Sequence, residues 1–261
     1  SGIKTNVFGT LVCAEVAAEC KVPHFVLISS DKAADPSSML GLTKRGAEQI
    51  VNALHFSERV RARDKGPKPI YMSVRFGNVF GSDGSVATIF ERQIMAGGPV
   101  TITDREMTRY FMTMGEAVDL VIMAAAESAT RRDIDSFGIY MLDMGQPVSI
   151  LTVAETMIRL AGKQPHQDIK IKFTGVRPGE KLHETLCAEG ELLVSLDVNS
   201  LFGLKTGVFG WQEIRRALSE LRDSVDRNDK DAAVDGLGRL YRTIDDKGPV
   251  AEDVVPLKVA T

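Results

Sequence analysis

A short apolar run that ends abruptly in charged residues is the feature that most constrains the fold of this chain. His24–Ser29 is apolar almost throughout and is followed at once by a serine, an aspartate and a lysine. A short run without polar alternation is typical of a strand buried on both faces, as strands in parallel sheets are. Helical patterns flank it, and a second such run follows, so the sequence predicts an α/β fold with a parallel sheet. The predicted elements are helices at Asn6–Glu19 and Met39–Phe56 and a further strand at Ile70–Phe76.

Beyond Gly81 the predicted elements become shorter and less regular. Lys170–Thr174 alternates apolar and polar residues as an edge strand does. We therefore expect a first part at residues 1–100, a smaller mixed α/β lobe at 101–245 that ends in two helices, and a loose tail at 246–261. The elements predicted there are helices at Val86–Met95, Gly115–Ser128, Ile150–Ala161, Trp211–Val225 and Asp229–Ile244, and strands at Val100–Thr103 and Tyr140–Asp143.

The composition is that of an ordinary globular protein. Of the 261 residues, 44% are apolar and 26% are charged, and the net charge is −3. No basic block indicates a nucleic-acid partner. The longest strongly apolar stretch, Val118–Ala126, is far shorter than the roughly 18 residues that a membrane span requires. With no visible signal peptide, the sequence favours the cytoplasm.

The three cysteines have no CxxC spacing and are odd in number. This pattern predicts buried free thiols in a reducing compartment rather than a metal site or a disulfide. They are Cys13, Cys20 and Cys187.

An acid and a base stand side by side where the first predicted strand ends. Asp31 and Lys32 are adjacent, and Lys44 follows on the next predicted helix. A carboxylate next to an amine can move protons in both directions. Such a pair alone is more often a solvated turn, but its place between a buried strand and a helix with a second lysine favours a catalytic role.

Four separated motifs extend this pattern from residue 5 to residue 184. In this order they resemble the extended short-chain dehydrogenase/reductase superfamily, and within it the nucleotide-sugar 4,6-dehydratases of polysaccharide biosynthesis. The resemblance implies a partial Rossmann-like sheet in residues 1–100, as the C-terminal part of a dinucleotide-binding domain, and a nucleotide-sugar-binding lobe in 101–245. The motifs are TNVFGT (5–10), ISSDKA (28–33), VRFGNVFG (74–81), and TRYFMT (108–113) together with RPGEKLHE (177–184).

The resemblance also implies a role for each catalytic candidate. Asp31 would be the acid and Lys32 the base of the dehydration, with Ser30 in the place of the superfamily's serine or threonine. Lys44 would hold the nicotinamide ribose of NAD. The usual partner of that lysine is a tyrosine four residues earlier, but Leu40 stands there. The polysaccharide dehydratases often have methionine at this position, so the leucine favours that branch over a tyrosine-dependent dehydrogenase.

Binding roles follow from the same resemblance. The loop after the second strand would close over the nicotinamide, and two arginine segments would hold the diphosphate of a UDP-sugar, for which planar forked donors are suited. No metal ion is implied. The implied cofactor contacts are Lys44, Phe76, Asn78 and Val79, and the implied substrate contacts are Asn78, Arg109, Arg177 and Glu180.

The implied reaction removes water from UDP-N-acetylglucosamine. Oxidation of C4 by NAD makes the C5 proton acidic, a base removes that proton, an acid protonates the leaving C6 hydroxyl, and the hydride returns to C6. The product would be a 4-keto-6-deoxy sugar for surface polysaccharide or glycan synthesis.

Two alternatives stay open. A nucleotide-sugar 4-epimerase of the same superfamily begins with the same oxidation but needs no acid for a C6 leaving group, so Asp31 and Lys32 count against it. A non-catalytic substrate-binding module is the other alternative. One observation supports it: the sequence lacks the glycine-rich turn after a first strand that would hold the cofactor pyrophosphate. We expect that turn in a preceding half of a longer protein, and homo-oligomers formed through the sheet edge that its absence exposes.

Overall fold

A computed structural model of the protein describes residues 2–61, 69–82, 84–130, 137–196, 200–207 and 210–242. Helices and strands alternate along these segments. The helices are a π-helix at Ile3–Phe8, a 3-10 helix at Asp31–Ala33, α1 (Gly9–Glu19), α2 (Met39–Arg61), α3 (Val86–Met95), α4 (Met114–Thr130), α5 (Ile150–Leu160), α6 (Trp211–Asp226) and α7 (Lys230–Arg242). The strands are β1 (His24–Ile28), β2 (Ile70–Val74), β3 (Asn78–Val79), β4 (Val100–Ile102), β5 (Thr108–Arg109), β6 (Phe111–Met112), β7 (Ile139–Leu142), β8 (Val148–Ser149), β9 (Ile171–Phe173), β10 (Leu192–Ser195) and β11 (Leu201–Lys205).

The chain divides into two compact units that interleave along the sequence. Unit 1 comprises residues 1–75, 120–143 and 186–261, and unit 2 comprises 76–119 and 144–185. The expected functional division, with a cofactor part at 1–100 and a sugar-nucleotide part at 101–245, stays a prediction. The expected loose tail at 246–261 lies outside the described residues.

Unit 1 is built on a five-stranded sheet with the order β1-β2-β7-β11-β10. The first three strands are parallel, and Ile28 pairs with Val74, which pairs in turn with Tyr140. β11 runs antiparallel to β7, and β10 runs antiparallel to β11. The predicted α/β fold with a parallel sheet is therefore confirmed. Within the described segments β1 is an edge strand, and self-association through this edge stays a prediction.

Helix α2 connects β1 to β2 and buries one face in unit 1. Ile50, Val51 and Leu54 lie on that face, at the three- and four-residue spacing of an amphipathic helix. They share an apolar core with α1, α6 and α7. The other members of this core include Val7, Leu11, Tyr71, Trp211, Ile214, Leu218, Leu221, Leu237 and Leu240.

Unit 2 packs α3 and α5 around a smaller core. Phe90 and Ile94 of α3 meet Ala154 and Ile158 of α5, and Val100 of β4 lies among them. The strands here pair two by two: β3 with β6 and β4 with β9 in parallel, and β5 with β8 antiparallel.

Several details of the sequence prediction were wrong. The first helical stretch begins at Ile3 rather than at Asn6, and the Asn6 side-chain amide donates to the Thr43 hydroxyl oxygen at 2.9 Å. The antiparallel strands β10 and β11 were not predicted. The cysteines are free as predicted, but Cys13 and Cys20 are exposed rather than buried.

No helix in the described part of the chain is long and apolar enough to span a membrane.

Two arginines and two glutamates form a fully buried ionic network in unit 1, which we call the Arg75 network: Arg45, Glu48, Arg75 and Glu191. Arg75 at the end of β2 donates from Nη2 to Glu48 Oε2 and from Nη1 to Glu191 Oε2, both at 2.7 Å. Arg45 donates to the same two carboxylates. Charges taken out of water require such pairing, since removing one partner of a buried pair costs about 3–5 kcal/mol.

The network predicts how stability depends on pH. Burial raises the pKa of Glu191, but Arg75 and Arg45 outweigh it and lower the pKa from the ordinary 4.5 to about 2. Stability from the ionised carboxylate is therefore fully present above about pH 4.5 and is lost as the pH falls toward 2. As the pH falls from about 4.5 to 2, the free energy of unfolding measured in urea should drop by about 3 kcal/mol more in the wild type than in Glu191→Gln. Equal acid dependence in the two proteins would contradict the assignment.

Candidate functional site

The end of β1 turns directly into the residues predicted to be catalytic. Ser30 has an extended backbone and its hydroxyl oxygen accepts a bond from the Lys32 backbone N–H at 3.3 Å. This caps the short 3-10 helix Asp31–Ala33, in which the backbone N–H of Ala34 donates to the Asp31 carbonyl at 2.9 Å. The cap holds the acid and the base in one tight turn at the carboxyl end of the strand.

Asp31 and Lys32 make a direct side-chain contact. The Lys32 Nζ donates to Asp31 Oδ1 at 2.9 Å. The Asp31 side chain is fully buried, whereas that of Lys32 is 30% exposed. The second carboxylate oxygen, Asp31 Oδ2, is buried and has no hydrogen-bond partner in the described structure. A buried oxygen in that position costs free energy unless another group bonds to it, and sites that serve a reaction tolerate such a cost.

Lys44 lies on α2 and points to the same strand end. Its Nζ donates to the Ile28 carbonyl oxygen at 3.1 Å. An ammonium group has three donors, and the carbonyl uses one of them. Leu40, four residues earlier, is 51% exposed and offers no acid or base.

Gly41 allows the first turn of α2 to approach the turn that contains Asp31 and Lys32. A Cβ atom at this position would lie 2.4 Å from the Lys32 carbonyl oxygen and 3.0 Å from the Pro36 Cβ. Only glycine permits so close an approach to backbone. Sequence reasoning missed this residue, because a glycine near a helix start has several common explanations.

The predicted loop residues Phe76, Asn78 and Val79 lie in unit 2. The Asn78 N–H donates to the Tyr110 carbonyl oxygen at 2.8 Å and begins β3. The preceding residue, Gly77, packs closely against the same carbonyl, since a Cβ atom at Gly77 would lie 2.6 Å from the Tyr110 oxygen. The backbone of the loop is therefore fixed against residues 110–112, and Asn78 is half-buried.

The two predicted arginines have different surroundings in unit 2. Arg109 is 7% exposed, and its Nη1 donates to the carbonyl oxygens of Thr108 and Leu182 at 2.7 and 3.0 Å. Its other nitrogens lie 3.8 Å from carboxylate oxygens of Glu180 and Glu184. Arg109 thus ties β5 to the 177–184 segment.

Arg177 is exposed at the start of that segment. Its carbonyl oxygen accepts a bond from the Glu180 N–H at 3.0 Å, which closes a turn. The Glu180 carboxylate also accepts a bond from the Thr103 hydroxyl at 3.3 Å. The turn presents the Arg177 side chain outward.

The site candidates therefore fall into two groups. Unit 1 brings Ser30, Asp31, Lys32 and Lys44 to the carboxyl end of β1, and unit 2 contains the predicted nucleotide-binding residues Phe76, Asn78, Val79, Arg109, Arg177 and Glu180.

Comparison with known proteins identifies the family of the chain. A family model described as "Polysaccharide biosynthesis protein" matches residues 1–206, which is most of the chain. The chain belongs to this family. Proteins similar to it include nucleotide-sugar epimerases and dehydratases.

The curated relatives include two kinds of protein. The capsular polysaccharide biosynthesis protein CapD of Staphylococcus aureus is 46% identical over 190 residues, which are 73% of this chain and 29% of CapD. A UDP-glucose 4-epimerase of Rickettsia rickettsii is 32% identical over 200 residues, which are 77% of this chain and 54% of the epimerase. The chain therefore spans about a third to a half of the length of these relatives.

Solved structures confirm the fold. Pen from Bacillus thuringiensis is 29% identical with a TM-score of 0.63, and the match covers 83% of this chain and 68% of Pen. A dTDP-glucose 4,6-dehydratase from Bacillus anthracis in complex with NAD is 16% identical with a TM-score of 0.54, covering 70% of this chain and 60% of that enzyme. At this identity the second match speaks only for the fold, which is the Rossmann type of the superfamily.

Two glycines of α2 offer a test of the close approach. Gly41→Ala should destabilise the protein, because its methyl group would meet the Lys32 backbone carbonyl. Gly46→Ala is the matched control, since its methyl group would lie 3.6 Å or more from its neighbours and alanine favours a helix by about 1 kcal/mol. Urea unfolding of both variants measures the difference. Equal stability of the two would show that α2 does not depend on Gly41.

Proposed function

We propose that this chain carries the dehydration residues of an NAD-dependent nucleotide-sugar 4,6-dehydratase. The substrate is a UDP-N-acetylhexosamine, most simply UDP-N-acetylglucosamine, and the product a 4-keto-6-deoxy sugar for surface polysaccharide synthesis. The single observation that carries the proposal is the contact of the Lys32 amine with the buried Asp31 carboxylate, whose second oxygen has no hydrogen-bond partner in the described structure.

The two side chains suit the two proton transfers of a dehydration. Lys32 is partly exposed and serves as the base that takes the proton from C5 of the sugar. Asp31 is the acid that gives a proton to the departing C6 hydroxyl, and Oδ2 is the oxygen that makes no hydrogen bond in the described structure. The bonds that break are C5–H and C6–O, and the bonds that form are N–H on Lys32, O–H on the leaving water and the C5=C6 double bond. Lys32 gives its proton back to C5 when hydride returns to C6, and the proton released at the C4 hydroxyl replaces the one that Asp31 gives up, so the protons balance.

The residues present fit the nicotinamide end of NAD. The Lys44 ammonium is held at the carboxyl end of β1 by the Ile28 carbonyl and keeps donors suited to ribose hydroxyls. Phe76, Asn78 and Val79 are the further contacts that we propose for this end. When bound, NAD would take a hydride from C4 of the sugar and return it to C6.

The nucleotide diphosphate would be held in unit 2. The Arg177 side chain is exposed, which suits a guanidinium that donates two parallel hydrogen bonds to phosphate oxygens. Arg109 is held by two backbone carbonyls, one of them in the 177–184 segment, and we propose its guanidinium as a second phosphate donor. Asn78 and Glu180 are the neutral and acidic partners that we propose for the sugar-nucleotide.

A 4-epimerase is the second candidate, and the 32% identity to the Rickettsia rickettsii epimerase favours it. The chemistry at β1 favours the dehydratase instead. An epimerase oxidises and reduces C4 alone, so it requires no acid for a leaving group at C6 and no base at C5.

Variants at the catalytic turn test the proposal in the protein at its natural length. Asp31→Asn and Lys32→Ala should each lower the turnover of UDP-N-acetylglucosamine by roughly 10²–10⁴, because each removes one positioned proton transfer. Binding of the nucleotide should change little. Steady-state kinetics combined with calorimetry of UDP binding measures both quantities.

Leu40→Met is the matched control, because it changes an exposed residue near Lys44 without adding or removing an acid or a base. We expect it to keep nearly the wild-type turnover. An Asp31→Asn enzyme that retained more than about a tenth of the wild-type rate would remove the proposed acid from the mechanism.

A further inference from the structure

Arg75 stands where the chain passes from unit 1 to unit 2. It is the last residue of the first segment of unit 1, and the loop Phe76–Val79 follows directly. The chain crosses between the units four times, and its last return to unit 1, at Leu186, comes just after the 177–184 segment. Both of these passages adjoin segments that carry proposed nucleotide contacts.

The Arg75 side chain bonds to the second of these passages. Its Nη1 donates to the Leu186 carbonyl oxygen at 3.0 Å and to Glu191 Oε2 at 2.7 Å. The same Glu191 oxygen accepts a bond from the Ala188 N–H at 2.8 Å. The returning chain at 186–191 is therefore held to the residue at which the outgoing chain leaves.

The same guanidinium also bonds to α2. Arg75 Nε donates to Glu48 Oε1 at 3.1 Å, and Nη2 donates to Glu48 Oε2 at 2.7 Å, which makes a two-pronged pair. Glu48 is one helical turn beyond Lys44 and on the same side of α2. Three nitrogens of one planar group thus join the helix, the strand end and the returning chain, and all of these groups belong to unit 1.

We propose that Arg75 is a positioning residue for nucleotide binding, which fixes the two passages of the chain next to the Phe76–Val79 and 177–184 segments. The inference rests on the proposed function. Arg75 is fully buried, so it acts through the backbone of its neighbours and not by contact with the substrate. The forked geometry carries this role, because only arginine offers donors in fixed directions to both carboxylates and to a carbonyl at once.

The second arginine of the network provides a matched control. Arg45 is also buried and contacts the same two carboxylates, but it does so through Nη1 alone. Its Nε is buried without a hydrogen-bond partner in the described structure, so the fork is not used. A lysine can replace a single donor of this kind and cannot replace the three donors of Arg75. Arg75→Lys and Arg45→Lys change the same residue type in the same network and conserve its charge.

Calorimetric titration of the holoenzyme with UDP tests the inference, because it measures the affinity separately from the number of competent molecules. We expect Arg75→Lys to weaken UDP binding about tenfold or more at near-unit stoichiometry, since small displacements of binding groups have effects of this size. Arg45→Lys should stay within about twofold of the wild type. If Arg75→Lys does not fold, Glu191→Asp takes its place in the test. This variant keeps every charge but draws the carboxylate back from Arg75, and it should also weaken UDP binding.

A purely structural role gives a different result. Arg75→Lys or Glu191→Asp would then lower the melting temperature or the binding stoichiometry. The dissociation constant of the molecules that still bind UDP would stay at the wild-type value, and this result would overturn the inference. Equal weakening by Arg45→Lys would overturn it as well, because the effect would then follow from any disturbance of the network. A wild-type holoenzyme that did not bind UDP at all would overturn the proposed function itself.

Discussion

The packing of α2 against the ends of β1 and β2 is the interaction on which the rest of unit 1 depends. Gly41 lets the helix start touch the Lys32 carbonyl, and the Glu48–Arg75 pair fixes the next part of the helix to the end of β2. Between these two points lies Lys44, whose amine bonds to the last residue of β1. A buried, forked ion pair has one good geometry, so it specifies the position of the helix more narrowly than apolar contacts do. The acid, the base and the second lysine are held together as a consequence.

The sequence predicted the parts of this arrangement that depend on local pattern. The runs around Ile28 and Val74 predicted two neighbouring parallel strands, and the structure pairs these two residues. The pattern also placed Asp31 and Lys32 at a strand end, where the structure has them in contact. The predicted bounds of α3, Val86–Met95, agree with the structure because a serine cap and a glycine stop mark the ends of this helix.

What the sequence did not predict depends on contacts between residues far apart in the chain. Nothing near Arg45 indicates that it meets Glu191, which is 146 residues later. The antiparallel strand β11 was missed because Gly203 interrupts its apolar pattern, and the reason for that glycine is tertiary: Phe137 occupies the space of a Cβ atom there. Arg109 illustrates the same limit, since its two carbonyl partners are Thr108 beside it and Leu182, 73 residues away. The family is nevertheless clear from the sequence, because its motifs are local.

The fate of the C5 and C6 hydrogens tests the central claim, the acid–base role of Asp31 and Lys32, most directly. The protein at its natural length is incubated with UDP-N-acetylglucosamine in D₂O, and the product is examined by NMR. The account predicts a C6 methyl group without deuterium, because its third hydrogen comes from C4 as hydride, and deuterium at C5, because the partly exposed Lys32 amine exchanges its protons with solvent. A product that keeps the C6 hydroxyl and the C5 hydrogen and differs only at C4 would contradict the account and establish an epimerase.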